Sequence, residues 1–262
     1  MELKHSIRMK RYKDFKSGYL EKGYYLLENF LHEDELPDFE QLSVESLEKV
    51  FEKGKGSIRS IYGFHESNYF KNWLMDKRPI NEIVSALLGE NVYLHQSKVN
   101  IKNSNIDSIW PYHRDFPFWN IFDNVPVNKM LNIVIYLDDV YEDGGCLKVI
   151  PGSHKEFLVS ELDSVNVDYS IEGSASSDLL FGFEDNELEY FKKKYGVANT
   201  LGKKGTMLLF NPDILHGSSN SFSNFSRKIM ILTFNSCDNL PLKESERPEY
   251  LSSSNYKHLE WK

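Results

Sequence analysis

Five short segments rich in β-branched and aliphatic residues recur between Val92 and Phe234. VYLHQSKVNIK (92–102) alternates with period two. Gln96, Lys98, Asn100 and Lys102 therefore share one face of a strand, and Ser97, Val99 and Ile101 the other. LNIVIYLDDV (131–140), CLKVIPG (146–152), GTMLLF (205–210) and RKIMILTF (227–234) read as further strands. EDGG (142–145) is a turn, and Pro151 ends the strand that follows it. So many strands with tight turns, preceded by helices, predict a β-sandwich or jelly roll with a helical flank.

The first ninety residues read as mainly helical. Leu36 to Lys53 places Leu42, Val44, Leu47, Val50 and Phe51 at near-helical spacing, with Ser43 as N-cap. A second helix runs from Pro79 to Leu88, with Gly89 just past its end. GYYLLENF, from Gly23, has strand character. Residues 160–199 are acidic and Ser-rich, with helical potential in NELEYFKKKYG. An insertion this long in a compact domain is usually functional, and a lid over the barrel mouth is expected. The polar tail from Asn239 is expected to wrap the surface. The organisation expected is one domain over 1–262: a helical flank at about 1–90, a core at about 91–159 and 200–238, and the insertion between them.

Composition narrows the partners. With 31 Lys+Arg against 39 Asp+Glu the net charge is −8, which disfavours nucleic acid; the basic stretch Lys4–Lys16 is read as a solvated helix face. No apolar run is long enough to span a membrane. No apolar h-region follows the first basic residues, so no secretory signal is expected. Two cysteines, Cys146 and Cys237, make no disulfide framework, and a reduced cytoplasm is the expected compartment. A small-molecule substrate and a monomer or homodimer are expected.

The chemistry concentrates in IWPYHRDFPFW, from Ile109. His113 and Asp115 stand at i and i+2, which on a strand puts both side chains on one face, able to grip one ion. His-x-Asp alone is weak: with eight histidines, roughly half a match is expected by chance. A second histidine, His216, follows an apolar strand and the turn NPD, 216 − 113 = 103 residues later. Two His and one carboxylate on one face of an ion leave positions open, as in non-haem Fe(II) oxygenases. Zinc fits the ligand types as well, although a structural zinc site would need a fourth ligand. Arg227 opens the last strong strand and is suited to a bidentate pair with a carboxylate such as that of 2-oxoglutarate.

Taken with VYLHQSKVNIK, YHRDFPFW (112–119), LDDVYEDGGCLKVIPGSHK (137–155), GTMLLFNPDILHGSS (205–219) and RPEYL (247–251), this order of residues resembles the phytanoyl-CoA dioxygenase superfamily, and within it the ectoine hydroxylase-like branch. The resemblance implies a double-stranded β-helix (jelly roll, cupin-like), mainly β with flanking helices, and the use of Fe(II), 2-oxoglutarate and O2. It implies His113, Asp115 and His216 as metal ligands and catalytic residues. Arg227, Asn100 and Ser218 would hold the cosubstrate. Gln96, Trp119, Phe118 and Ile229 would line the substrate pocket.

The sequence also departs from that branch. Ectoine hydroxylases carry an SDFETW-like stretch where this chain has RDFPFW. Two and four residues after the distal Arg they carry Asn and Phe, where this chain has Ile229 and Ile231. A polar contact to ectoine is thereby lost, so the expected reaction is hydroxylation of an unactivated C–H bond in a free amino acid or amino-acid derivative. Ectoine 5-hydroxylation, desaturation or cyclisation in natural-product chemistry, and a catalytically inactive binding module are the alternatives. PGSH (His154) is read as a structural turn, and Cys146 as a small buried thiol.

Overall fold

The computed structural model describes residues 13–51, 56–103, 109–157 and 185–261. Within them β1 (Tyr24–Leu27), β2 (Glu48–Phe51), β3 (Ile58–Tyr62), β4 (Val92–Lys102), β6 (Met130–Tyr136), β9 (Met207–Phe210) and β11 (Arg227–Ser236) form one antiparallel sheet. Its order is β1-β9-β6-β11-β4-β3-β2. A smaller antiparallel sheet, β5-β10-β7-β8, comprises β5 (Trp110–His113), β7 (Leu147–Val149), β8 (Ala198–Asn199) and β10 (His216–Ser218). Together they form a double-stranded β-helix with helices on one outer face.

The central strands are buried on both faces, and this is why they read as nearly continuous apolar runs. Alternation still sorts their side chains. Leu131, Ile133, Ile135, Leu209, Met230 and Leu232 pack toward the helices. Val134, Tyr136, Leu208, Phe210, Ile229 and Ile231 pack toward the small sheet, against Cys146 and Val149. The helical layer includes α1 (Phe15–Lys22), α2 (Phe39–Glu45), α3 (Asn68–Met75) and α4 (Arg78–Leu88). In α4, Pro79 sits in the first turn, Gly89 follows the last residue, and Ile80, Ile83 and Val84 bury one stripe. Two helices lie at the other end: α5 (Phe116–Phe122) and α6 (Asp185–Tyr195). Among the described residues no helix is long and apolar enough to cross a membrane.

Two expectations need correction. The helix expected over Leu36–Lys53 is confined to α2, and its N-cap is Asp38, whose side chain accepts from the Gln41 amide, rather than Ser43. After Ser46 the chain is extended and enters β2, which pairs with β3. Val44 and Leu47 are 75% and 52% exposed, so their helical spacing marked no core stripe; a free sheet edge at β3 outweighed a weak periodicity. The N-terminal region is also less helical than expected, because β2 and β3 extend the large sheet, while β1 falls where GYYLLENF has strand character. Of the insertion at 160–199, residues 160–184 lie outside the described residues, as does most of the basic stretch from Lys4. The described remainder holds α6, as its pattern predicts, and β8, which pairs with β7.

The tail does more than cover the surface. The Ser253 and Leu259 amides donate to the His95 and Val92 carbonyls of β4, and Leu251, Ser252 and Ser253 are buried. Its anchor is Asp123, which is fully buried after α5. Asp123 accepts from the Ser245 hydroxyl at 2.8 Å, lies 3.0 Å from His95 Nε2 and forms an ion pair with Arg247 Nη1 at 3.3 Å. Burial alone would raise the Asp123 pKa, but Arg247, His95 and Ser245 outweigh it and hold the group ionised. Asp123→Ala would leave Arg247 charged, buried and unpaired. The expected cost is about 3–5 kcal/mol, read as a lower urea midpoint at unchanged m.

Candidate metal centre

β5 and β10 pair with His113 and His216 as direct Cα partners, so the ladder brings together two residues far apart in the chain. Their rings lie 4.2 Å apart, centroid to centroid. Asp115 reaches the same point by another route than strand alternation. β5 ends at His113, and Asp115 is the αR residue that precedes α5. Its amide and that of Phe116 donate to the Pro212 carbonyl, in the NPD turn just before β10. The turn therefore docks the carboxylate beside the second histidine.

Donor atoms of His113, Asp115 and His216 all lie within 4.8 Å of one another. His113 Nε2 is 3.5 Å from Asp115 Oδ1, and His216 Nε2 is 3.7 Å from Oδ2. His113 Nδ1 lies 2.8 Å from the Pro111 carbonyl and His216 Nδ1 lies 3.0 Å from that of Ile214. A carbonyl only accepts, so both Nδ1 atoms carry the proton and both Nε2 atoms turn a lone pair toward the carboxylate. Burial, reinforced by the neighbouring His113, pushes the His216 pKa down to about 4. Burial would raise the Asp115 pKa, but His216, His113 and Lys98 together hold it well below the usual carboxylate range. At neutral pH the set is a neutral buried imidazole beside a carboxylate. This donor set fits a first-row divalent ion bound on one face.

The sequence reading missed the residue that orients the carboxylate. Asn132 Nδ2 donates to Asp115 Oδ2 at 2.8 Å, and Asn132 Oδ1 accepts from Thr233 Oγ1 at 2.7 Å. Its signal was a single Asn inside the apolar run LNIVIYL, where a buried amide needs partners.

A cavity opens beside the three residues, lined among others by Lys98, Asn100, Ser218, Arg227, Ile229 and Arg59. Register explains the grouping, since Arg227, Ile229 and Ile231 of β11 face Lys102, Asn100 and Lys98 of β4. Arg227 is 4% exposed; its Nη2 donates to the Gly145 carbonyl at 2.6 Å, while its Nε has no hydrogen-bond partner. Asn100 Oδ1 is likewise buried and unpartnered. Gly145 has φ +68, and a Cβ there would meet the Ser219 carbonyl at 2.7 Å, so glycine is required where its carbonyl holds the arginine. Arg59 was also missed. It stacks over Trp110 at 4.5 Å, with Nε and Nη2 buried and unpartnered. A lone Arg before the apolar run of β3 gives almost no sequence signal.

The other expected pocket residues are placed apart from this cavity. Gln96 donates to the Leu251 carbonyl of the tail at 2.8 Å. Trp119 is buried with Val125 and Met130 and meets the His95 ring edge-on. Phe118 packs against Phe122 and under the Arg247 guanidinium. Ile229 alone of the four lines the cavity.

Arg114, between the two residues of the His-x-Asp pair, is 2% exposed. Its guanidinium donates to the carbonyls of Ser153, Asp213 and Glu156. It also lies over the rings of Phe157 and, in α6, Phe191. The Glu156 side chain accepts from Tyr190, Lys194 and Tyr195 of α6. The described ends of the insertion are thus fastened to the segment that carries His113 and Asp115. His154, as expected, sits in a structural turn, with Nε2 at 3.4 Å from the Leu20 carbonyl.

Residues 19–229 match the family model described as Phytanoyl-CoA dioxygenase (PhyH). The L-proline trans-4-hydroxylase of Streptomyces griseoviridis is 32% identical over 208 residues, covering 79% of this chain and 77% of the relative. The ectoine dioxygenase of Nocardia farcinica is 28% identical, covering 90% and 83%. EctD from S. alaskensis with bound Fe superposes with a TM-score of 0.79 at 26% identity, covering 94% of this chain and 85% of that one. The same protein with 2-oxoglutarate and 5-hydroxyectoine gives 0.78 at 24% identity, over the same shares.

Replacing Arg114 by Ser removes the donor to three carbonyls and the cation beside two rings. Each buried acceptor left unmade costs about 1–3 kcal/mol. The expected outcome is faster amide hydrogen exchange in α6 and at 153–157, with β6 and β11 protected as before.

Proposed function

Because the chain belongs to the phytanoyl-CoA dioxygenase family and brings two imidazoles and a carboxylate together beside a buried arginine, we propose that it is a 2-oxoglutarate-dependent non-haem iron dioxygenase that hydroxylates a free amino acid or amino-acid derivative. The observation that carries the reading is the grouping of His113, Asp115 and His216 within 4.8 Å, next to an Arg227 that keeps an unpartnered Nε. The reading takes residues 1–262 as one catalytic domain.

His113 Nε2, His216 Nε2 and Asp115 would hold Fe(II); with 2-oxoglutarate and O2 the ion supplies the oxidising chemistry for an unactivated C–H bond. Asn132 keeps the Asp115 carboxylate in one orientation, as outer partners of metal ligands do. Arg227 receives the distal carboxylate of 2-oxoglutarate, because its Nη2 is already fixed by Gly145 and its Nε remains to donate. Burial lowers the Arg227 pKa to about 10, which leaves it cationic at neutral pH. Asn100 and the Ser218 hydroxyl add hydrogen bonds from the neighbouring strands. Phe210, Leu147, Ile229 and Ile231 make the remaining wall apolar and keep water from the reacting centre.

The substrate class rests on two supports. The relative at 32% identity is named for proline hydroxylation. Ile229 and Ile231, buried on the cavity side of β11, offer aliphatic surface to an aliphatic body. One missing polar partner can cost several kcal/mol in discrimination, whereas a methylene is worth about 1–3. Free proline or another compact aliphatic amino acid is therefore favoured over ectoine. Gln96 is held by the tail and Trp119 and Phe118 pack within and beside α5, so this reading assigns substrate contact to Ile229 and not to those three.

Three measurements test this. Asp115→Ala should lose Fe(II) binding and activity with an unchanged circular-dichroism spectrum; full activity in that variant sinks the metal assignment. Arg227→Ala should raise the KM for 2-oxoglutarate by tens to thousands of fold, from a loss of about 2–5 kcal/mol. Arg227→Lys should recover only part, lacking the planar fork. Finally, succinate release coupled to a mass gain of one oxygen should be faster with proline or a related amino acid than with ectoine. Efficient ectoine turnover would show that Ile229 does not set substrate choice.

A further inference from the structure

A second group of metal-ligating side chains lies away from the catalytic cavity, where the C-terminal tail crosses the end of β3. It consists of His65, Glu66 and Glu249, with donor atoms within 4.8 Å of one another. His65 and Glu66 follow β3 in a short 3-10 turn, and Glu249 comes from the tail. His65 is 4% exposed. Its amide donates to Ser97 Oγ at 3.0 Å, and its Nδ1 meets the same oxygen at 2.9 Å. The ring is thereby fixed with Nε2 toward the carboxylates, 4.0 Å from Glu66 Oε1.

That Nε2 is buried and has no hydrogen-bond partner. With Nδ1 engaged by the Ser97 hydroxyl, Nε2 is the ring atom that faces the two carboxylates. A buried polar atom without a partner is costly, and a cation between Nε2 and the two carboxylates would supply one. Each carboxylate is held in place: Glu66 by Lys71 at 2.9 Å and by Asn255 at 3.5 Å, Glu249 by the Ser253 hydroxyl and the Ser254 amide. A groove lined by His65, Glu66, Asn255 and His258 reaches the group from outside. Lys71 opposes a cation, but the two carboxylates leave the cluster negative.

We propose that His65, Glu66 and Glu249 form a second site, outside the catalytic cavity, for a divalent cation of the zinc class, which fastens the tail to β3 and β4. One imidazole and two carboxylates provide N and O donors that Zn(II) accepts, and, unlike a closed structural zinc site, the group leaves a position to water. The site is independent of the catalytic reading, because it shares no residue with His113, Asp115 and His216. Binding would stabilise the tail segment that also supplies Arg247 to Asp123 and the Leu251 carbonyl to Gln96.

The test is calorimetric titration of the full chain with Zn(II). The wild type should take up two equivalents, and Asp115→Ala should keep one. His65→Ala and Glu249→Gln should each keep the other and bind the lost equivalent at least tenfold more weakly. Zn(II) should raise the Tm of Asp115→Ala, and this rise should vanish in Asp115→Ala combined with Glu249→Gln. Glu249→Gln preserves side-chain volume, so it answers even where His65→Ala folds poorly. Unchanged stoichiometry and affinity in Glu249→Gln, or a single equivalent in the wild type that Asp115→Ala abolishes, overturns the proposal. Two equivalents surviving in Asp115→Ala would instead count against the catalytic assignment.

Discussion

His113 and His216 are direct partners in an antiparallel ladder between two very short strands, and the chemistry of the molecule depends on that pairing. Strands of four and three residues would not pair alone in water. They are held by what lies around them. β10 also pairs with β7, the Pro212 carbonyl accepts two amides from the start of α5, and Ile150 bonds to the Leu215 carbonyl. With the backbone fixed in this way, the two Nδ1–H groups find local carbonyls, and both Nε2 lone pairs are left facing Asp115. A preformed donor set of this kind loses little side-chain entropy when it receives an ion.

The large sheet supplies the second requirement, a place for buried charge. Its central strands have apolar packing on the helical face and a mixture of aliphatic and cationic side chains on the other. Arg227 and Lys102 are nearly as buried as the core leucines. Such groups are tolerated only when hydrogen-bonded or paired. Each has a carbonyl from a glycine- or serine-containing loop: Gly145 for Arg227 and Ser219 for Lys102. Arg227 Nε, Asn100 Oδ1 and the Arg59 Nε and Nη2 are buried without partners, and all three residues line one cavity.

Two peripheral pieces are tied to this centre by very different means. The tail is anchored by the buried Asp123 group, where loss of one partner strands a charge. α6 is anchored partly through Glu156, whose links to Lys194 and the tyrosines are largely exposed and individually weak. Its stronger attachment is Arg114, which is buried and adjacent in sequence to both His113 and Asp115. The side chain that separates the two residues of the motif therefore points to the opposite side of the chain and holds the base of the insertion.

Much of this was legible in the linear sequence. Alternation in VYLHQSKVNIK placed Lys98, Asn100 and Lys102 on one face because strand geometry has a period of two whatever surrounds it. The proline and glycine limits of α4 were legible for the same reason, since they act through local backbone preference. Local rules failed where tertiary pairing competed with them. Val44, Leu47 and Phe51 have helical spacing, yet the chain leaves the helix at Ser46 to pair with β3. Asp115 joined His113 through a turn docked on Pro212, although i and i+2 spacing suggested one strand face. Asn132, Arg59 and the His65 group carry no motif, because their partners are remote in sequence. The sequence by itself determined the residue types, the strand parity and the order of His, Asp, His and Arg. Only the tertiary structure decided which atoms meet, because register across the two sheets, burial and the remaining hydrogen-bond capacity of each side chain depend on parts of the chain more than a hundred residues apart.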